Sequence, residues 1–223
     1  MQAPDFWDNM EKAQNYVKEL VDAIVENGKE NAAGFFYENS EDTILKFTKD
    51  FFEKILLPAN SVSKSYISMH PYIEDKKIQK VMKSMELTGE IGKPLFYVKD
   101  MESQEFLLTY DTFYFKLALP EDKKFFAIGQ VPVKNVNRFS LVKEEDYYTF
   151  LCDDVKLTDL KINEKREEDF ITLNKYFTDI AAIAMELSFV SILSARLEST
   201  HGTFAPTRIP ACFTPGTSFE LAL

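Results

Sequence analysis

Few residues of this chain have the types and the spacing that catalysis or metal binding requires. His70 precedes Pro71 and has no second histidine, cysteine or acid at ligand spacing, which favours a structural or solvated imidazole. Cys152 ends an apolar stretch and has no base beside it in the sequence, which favours a small buried hydrophobic residue over a nucleophile. The sequence therefore predicts no catalytic residue and no metal ligand.

Two acidic runs could in principle supply paired carboxylates or a calcium loop. Glu144-Glu145-Asp146 and Asp153-Asp154 both fall between predicted strands, and neither has the spacing of an EF-hand. The sequence also has no Walker loop, no G-x-S-x-G and no dinucleotide fingerprint. We interpret the acids as turn residues and predict a protein that is not an enzyme and needs no cofactor.

Five residues are candidates for a binding surface instead. Lys99, Lys116 and Lys124 lie on or beside neighbouring predicted strands, where their ammonium groups could converge, although the sequence favours separate solvated lysines. Tyr114 alternates with the phenylalanines of its strand and is predicted to face away from them. We predict that Tyr114 and Tyr148 are exposed contacts.

The first part of the chain has the period of amphipathic helices. Apolar residues recur three and four positions apart from Phe6 onward, which predicts a helix that ends at Gly28. A second helix is predicted to begin at Asn39 or Ser40, with acids in its first turn, and to stop at Pro58. Each of these helices would bury one face.

A third helix is predicted to begin with Pro71 and to end before Gly89. Ser61 to Met69 is predicted as a further short helix. Residues 1 to 89 are therefore predicted to form a small helical bundle.

After Gly92 the apolar period changes from about 3.6 residues to 2, which indicates a switch from helix to sheet. Tyr110-Asp111 and the polar stretch Pro120 to Lys123 supply turns between strands. Seven short strands at close spacing predict a small barrel or sandwich. The predicted strands are residues 94 to 98, 105 to 109, 112 to 119, 124 to 128, 138 to 143, 147 to 152 and 155 to 162, with residues 129 to 137 irregular.

Helical periodicity returns after the strands. Apolar residues from Phe170 to Leu187, followed by Ser191, trace one face of a long helix that begins at about Glu164. Further apolar side chains, including Ile183, lie on other faces, which predicts packing on the helical bundle or on a second copy as a homodimer. Residues 90 to 198 are thus predicted as one β unit with its C-terminal helix.

Residues 199 to 223 differ in composition from the rest of the chain. They hold three of the nine prolines, no lysine and a single acid, Glu220. We interpret this segment as a flexible or non-native extension that takes no part in function.

Seven strands followed by one amphipathic helix resemble a bacterial pleckstrin-homology-like (PH-like) domain. FLLTYDTFYFKL, residues 106 to 117, resembles the family's second strand, which ends at a threonine before a tight turn and an aromatic third strand. IGQVPVKNVNRFSL, residues 128 to 141, resembles a later apolar step of the same family. The resemblance covers about residues 90 to 185. It implies a seven-stranded PH-like barrel or sandwich capped by a C-terminal helix. Together with the predicted helical bundle that precedes it, this makes the predicted chain α+β.

The resemblance also bears on lipid binding. Members of the PH family bind phosphoinositide headgroups through lysine and arginine in and around the first hairpin loop. Residues 99 to 104 hold one lysine against two acids, so anion binding in this loop would oppose the local field. A membrane-lipid ligand is therefore the third alternative.

The overall charge narrows the choice of partner. The formal net charge is −10, which opposes binding to nucleic acid and to anionic membranes. A protein partner is compatible with this charge. The N-terminus has no apolar signal region and the two cysteines are unpaired in spacing, so a cytoplasmic location is expected. We predict a non-catalytic PH-like adaptor for protein recognition or assembly. The alternative is an acidic chaperone or immunity-type inhibitor of a basic client protein.

Overall fold

A computed structural model of the chain describes residues 4–29, 40–59, 67–100, 102–161 and 167–183. The predicted extension at residues 199 to 223 and the distal part of the predicted last helix lie outside these ranges.

The first two predicted helices are confirmed. Helix α1 spans Pro4–Lys29, so Gly28 lies inside its last turn. Helix α2 spans Glu41–Phe51 and starts with two acids, which the helix dipole favours at this end. It continues as a π-helical segment, Phe52–Leu56, and ends with the short helix α3, Leu57–Ala59.

The segment between α3 and the main sheet differs from the prediction. Helix α4 spans Asp75–Ser84 and does not begin at Pro71, because the chain first makes a turn in which the Tyr72 amide donates to the Met69 carbonyl oxygen (2.9 Å). The predicted short helix is wrong at Ile67–Met69, which form strand β1. These three residues pair with a later strand, and this long-range pairing overrides the local helical pattern.

Two antiparallel sheets follow. The first contains five strands in the order β1-β2-β3-β4-β5, and the second contains three in the order β6-β7-β8. The strands are β2 Pro94–Lys99, β3 Glu105–Thr109, β4 Thr112–Ala118, β5 Phe126–Pro132, β6 Phe139–Lys143, β7 Tyr147–Cys152 and β8 Val155–Lys161.

The chain is therefore α+β with antiparallel sheets, but the strand prediction needs three corrections. The described residues contain eight strands instead of seven, because β1 adds an edge to the first sheet. Of the two predicted alternatives, the barrel is wrong, because these residues form two sheets and not a closed barrel. Strand β5 extends through Gly129 to Pro132, where an irregular segment was expected, and a 3-10 turn at Val133–Asn135 leads to β6.

Aromatic side chains fill the space between the two sheets. Phe113 of β4 is fully buried and packs on Phe106 of β3, Phe139 of β6 and Phe150 of β7. Ring centroids in these pairs lie 4.7 to 6.4 Å apart, which is the range of favourable aromatic contact. This core joins the two sheets.

The last predicted helix is confirmed where the structure describes it, as helix α5, residues 167–183. Its apolar stripe is buried, and Phe177 stacks on Phe150 with the two rings 8° from parallel. The neighbouring Tyr176 donates to or accepts from Thr48 Oγ1 (2.9 Å) and stacks on Phe47, so α5 also packs on α2. Two faces of α5 are therefore used within the chain.

Helix α1 lies close against strand β5 and the turn after it. A Cβ atom on Gly129 would collide with the ring of Phe115 and approach Val17 of α1, and one on Gly28 would collide with the carbonyl oxygen of Asn135. Because β1 and α1 share the sheet and core with later strands, residues on both sides of position 89 belong to one unit. No helix in the described ranges has the length and apolarity needed to cross a membrane.

Candidate functional site

The outer face of the five-stranded sheet carries a charged row. In the register of β2, β3 and β4, Lys99 is opposite Glu105 and Glu105 is opposite Lys116. Side chains opposite each other on neighbouring strands lie on the same face, so one carboxylate sits between two lysines. Helix α4 covers the same face through Val81 and Met85, which pack on Tyr97, Leu107 and Tyr114.

Glu105 is a buried carboxylate with a full set of donors. Its side chain is 3% exposed. Ser84 Oγ donates to Oε1 (2.6 Å), Tyr97 OH donates to Oε2 (3.0 Å) and Lys99 Nζ approaches Oε1 (3.4 Å). Lys116 Nζ completes the cluster by donating to Ser84 Oγ (3.1 Å). These partners compensate for the loss of water around a buried charge.

Lys77 and Tyr97 form the wall beside this cluster. The Lys77 ammonium lies 5.1 Å from the centre of the Tyr97 ring and donates to Ser68 Oγ (2.6 Å). Burial lowers the pKa of Lys77, and nearby Glu74 partly opposes that effect. Burial, followed by the charge of Glu105, raises the pKa of the Tyr97 phenol, which keeps this hydroxyl a donor at neutral pH.

A groove of about 460 Å³ opens between α4 and β2 above these residues. We call it the lysine groove. Lys76 and Lys80 line its rim, are exposed, and make no ion pair within the part of the chain that the structure describes. Its lining residues are Glu74, Lys76, Lys77, Lys80, Val81, Ser84, Tyr97, Lys99 and Glu105.

The structure places the five residues that are predicted to bind in different surroundings. Lys99 and Lys116 converge on the Ser84 and Glu105 pair, whereas the sequence favoured separate solvated lysines. Lys124 does not line the lysine groove; it lies in the turn before β5, where its amide donates to Asp122 Oδ1 (3.2 Å).

The prediction that Tyr114 and Tyr148 are exposed is wrong. Tyr114 is 8% exposed because α4 covers the outer face of the sheet. Tyr148 is 6% exposed because it stacks on Phe170 of α5 (5.6 Å). Period-2 alternation separated the faces of β4, but it could not reveal that both faces are covered.

Ion pairs with other parts of the chain hold the loop between β2 and β3. Glu102 pairs with Lys123 and with Lys161 (3.0 Å). The hydrogen bond from Lys123 lowers the pKa of Glu102, so this acid stays ionised and neutralises the lysines. Asp100 accepts hydrogen bonds from the backbone amides of Glu102 (2.9 Å) and Gln104 (2.7 Å) and fixes the loop.

Sequence reasoning missed most of the lysine groove. Lys76, Lys80 and Lys83 are spaced four and three apart, which places them on one face of a helix. That spacing was available as a signal. The burial of Glu105 was not, because it depends on strand pairing and on the position of α4.

A second groove, of about 470 Å³, lies on the other side of α4. We call it the apolar groove. Ile78 and Met82 of α4 form one wall, and Ile91 and Pro94 form part of the opposite wall. His70 lies at its edge, where burial, and then the charges of Lys93 and Lys49, lower its pKa and favour the neutral imidazole.

A nucleophilic cysteine and a metal site have less support in the structure than the two grooves. Cys152 is fully buried, and burial raises the pKa of its thiol, which disfavours the thiolate needed for nucleophilic attack. Within the described ranges, no three histidine, cysteine or acidic side chains are grouped to hold a metal ion.

Comparisons of the chain with protein-family models, with curated proteins and with solved structures gave no significant match.

Proposed function

We propose that this protein is a non-catalytic recognition module with a PH-like arrangement, and that its lysine groove binds an acidic segment of a protein partner. One observation carries the proposal: an acidic chain gathers four lysines, Lys76, Lys77, Lys80 and Lys99, around one groove, against two acids, Glu74 and Glu105. A local excess of positive charge attracts anionic ligands even when the net charge opposes them.

The shape and charge of the groove favour a peptide over other anions. The net charge of −10 repels a long polyanion such as nucleic acid, whereas a short acidic segment meets only the local lysines. Glu105 on the groove floor opposes a compact phosphate placed beside it. Exposed carboxylates on an extended segment can instead pair with Lys76 and Lys80 at the rim.

The PH-like part of the proposal rests on the order of elements. Four strands, β2 to β5, three strands, β6 to β8, and helix α5 follow one another as in that family. Strand β1 and helix α4 are additions, and α4 supplies most of the residues that line the lysine groove. We therefore assign recognition to the groove beside α4 and not to the loop that holds Glu102.

The test is binding of a fluorescein-labelled hexaglutamate peptide, followed by fluorescence anisotropy. The double variant Lys76→Glu/Lys80→Glu is compared with Lys12→Glu/Lys18→Glu, which makes the same charge change on exposed lysines of α1. We expect the first pair to weaken binding at least tenfold and the second pair to leave it within about twofold. Equal losses in both would refute a specific groove.

Two further arms separate the ligand classes. Inorganic phosphate should compete only at millimolar concentration, and phosphatidylserine vesicles should not retain the protein. Stronger competition by phosphate, or retention on the vesicles, would favour the lipid-headgroup alternative. Added salt should weaken peptide binding, because the contacts at the rim are exposed ion pairs.

A second candidate function has its own observation. Exposed acids lie on α1, at Asp8, Glu11, Glu19 and Asp22, and the β6–β7 turn adds Glu144 to Asp146. Exposed acids of this kind fit the acidic chaperone or inhibitor of a basic client. Labelled hexalysine should then bind with strong salt dependence, and Asp8→Lys/Glu11→Lys should weaken it. Binding that hardly changes with salt would contradict this candidate.

A further inference from the structure

We propose that the acidic segment that binds at the lysine groove is helix α1 of a second copy of this chain. The inference rests on the proposed function of the lysine groove and specifies its partner. It also gives a common role to two surfaces of opposite charge, one on α4 and one on α1, which pair with each other between copies.

Helix α1 carries a row of acids along its exposed side. The residues of this row recur three or four positions apart, which places them on one face of the helix. The opposite face is held in the core through Ala13, Val17 and Ile24, so the row has a fixed position on the fold. The members of this α1 acidic row, all exposed, are Asp8, Glu11, Asn15, Glu19, Asp22 and Glu26.

Helix α4 carries a row of the opposite charge. Lys76, Lys80 and Lys83 are exposed and are spaced four and three residues apart, so they share one face of the helix. We call them the α4 lysine row, and its first two members form the rim of the lysine groove. None of the three makes an ion pair with another residue in the described ranges, so the row is open to an external partner.

The two rows match in spacing when the helices run antiparallel. Read from its C-terminal end, the α1 acidic row begins with Glu26, Asp22 and Glu19, which are four and three residues apart. The α4 lysine row has the same spacing when it is read from its N-terminal end. Each set of three spans about 10 Å along its helix, at 1.5 Å per residue. Three carboxylates and three ammonium groups can therefore face each other in register.

The fold keeps the two rows of one copy apart. Helix α1 packs into the core on the inner side of the five-stranded sheet, where Val17 lies beside Gly129. Helix α4 packs on the outer side of the same sheet, through Val81 and Met85. Because the sheet lies between the two helices, the rows meet only when two copies associate.

The net charge of −10 opposes this association but does not prevent it. At physiological ionic strength the Debye length is about 8 Å, so charges far from the contact are largely screened. Charges in direct contact are screened less. The matched rows therefore act at short range, where their opposite signs attract.

The experiment exchanges the charges of the two rows and measures association by sedimentation equilibrium of the full chain. Glu19→Lys/Asp22→Lys makes the matched part of α1 basic, and Lys80→Glu/Lys83→Glu makes the matched part of α4 acidic. Either variant alone sets like charges against each other, so we expect self-association at least tenfold weaker than that of the parent chain. An equimolar mixture of the two variants again offers opposite charges and should associate within about threefold of the parent chain.

A matched control separates this contact from a general effect of charge. Lys46→Glu/Lys49→Glu makes the same charge change on exposed lysines of α2 that are also three residues apart. This control should leave self-association within about twofold of the parent chain. Single variants that associate as well as the parent chain, or a mixture that fails to restore association, would overturn the inference.

The outcomes separate the two proposals. If hexaglutamate binds but the parent chain stays monomeric, the second copy is wrong and the lysine groove stands. If hexaglutamate does not bind and the parent chain stays monomeric, the lysine groove itself fails. If both proposals hold, added hexaglutamate should dissociate the associated chains, because it occupies the same lysines.

Discussion

The two faces of the five-stranded sheet alternate along the same strands but bury different chemistry. On the inner face, Phe106, Phe113 and Phe115 join a largely aromatic and aliphatic core that also includes the second sheet and α5. On the outer face, Tyr97 and Glu105 sit among lysines beneath one ten-residue helix. The inner face supplies most of the apolar core. The outer face combines a small apolar cluster with a charged cluster, in which the buried Glu105 depends on its hydrogen-bond donors for stability.

The strongest test of the inner face is Phe113→Ala. Phe113 is fully buried and contacts aromatic rings from both sheets, so truncation leaves a cavity that rigid neighbours cannot fill. We expect a loss of about 3 to 5 kcal/mol in the free energy of unfolding, measured by urea denaturation with circular dichroism. Ile171→Ala, at a side chain 56% exposed on α5, is the control and should change it by less than about 0.5 kcal/mol.

Glu105→Ala tests the outer face. The change leaves the Ser84 and Tyr97 hydroxyls without their carboxylate acceptor and removes the counter-charge of Lys99. We expect a loss of about 3 kcal/mol in the free energy of unfolding, and a smaller loss for Glu105→Gln, which keeps the shape and one acceptor. Equal and small losses in the two variants would show that the outer face tolerates an unpaired cluster and that the contrast between the faces is false.

The same contrast explains how far the sequence could predict this protein. Alternation in FYFKL separated Phe113 and Phe115 from Tyr114, because the period of a strand is local. The pairing of Ile67 with Val98 is not local, and no feature within residues 67–69 predicts it. Glu105 illustrates the same limit in the site, since only the strand register and α4 decide whether a carboxylate is exposed.

A third test concerns the contact between Thr48 and Tyr176, the buried hydroxyl pair that joins α2 to α5. Thr48 Oγ1 also donates to the Ile44 carbonyl oxygen (2.8 Å), so it can accept from the tyrosine. We expect Thr48→Val to cost about 1 to 2 kcal/mol in the free energy of unfolding, because the buried Tyr176 hydroxyl loses its acceptor. Adding Tyr176→Phe should recover part of this loss; additive losses in the double variant would exclude a direct coupling.

The smallest expected effect is a pH dependence from His70 at the apolar groove. Burial, and the charges of Lys93 and Lys49, lower the pKa of His70 below its ordinary value of 6.5. The unfolded chain therefore takes up a proton at higher pH than the folded chain. Stability should fall as pH drops through 6.5 and should level off below the lowered pKa.

The measurement is the difference between the parent chain and His70→Gln in urea unfolding from about pH 7.5 to pH 5, a range that brackets the histidine titration. Subtraction removes the contributions of the acidic residues and of His201 to the pH dependence, because both proteins share these residues. Because His70 is only half-buried, solvent screening keeps the expected difference below about 1 kcal/mol. A difference of opposite sign, with the parent chain gaining stability in acid, would mean that His70 accepts a charge partner when folded. The polar edge of the apolar groove would then attract anions, as we propose for the lysine groove.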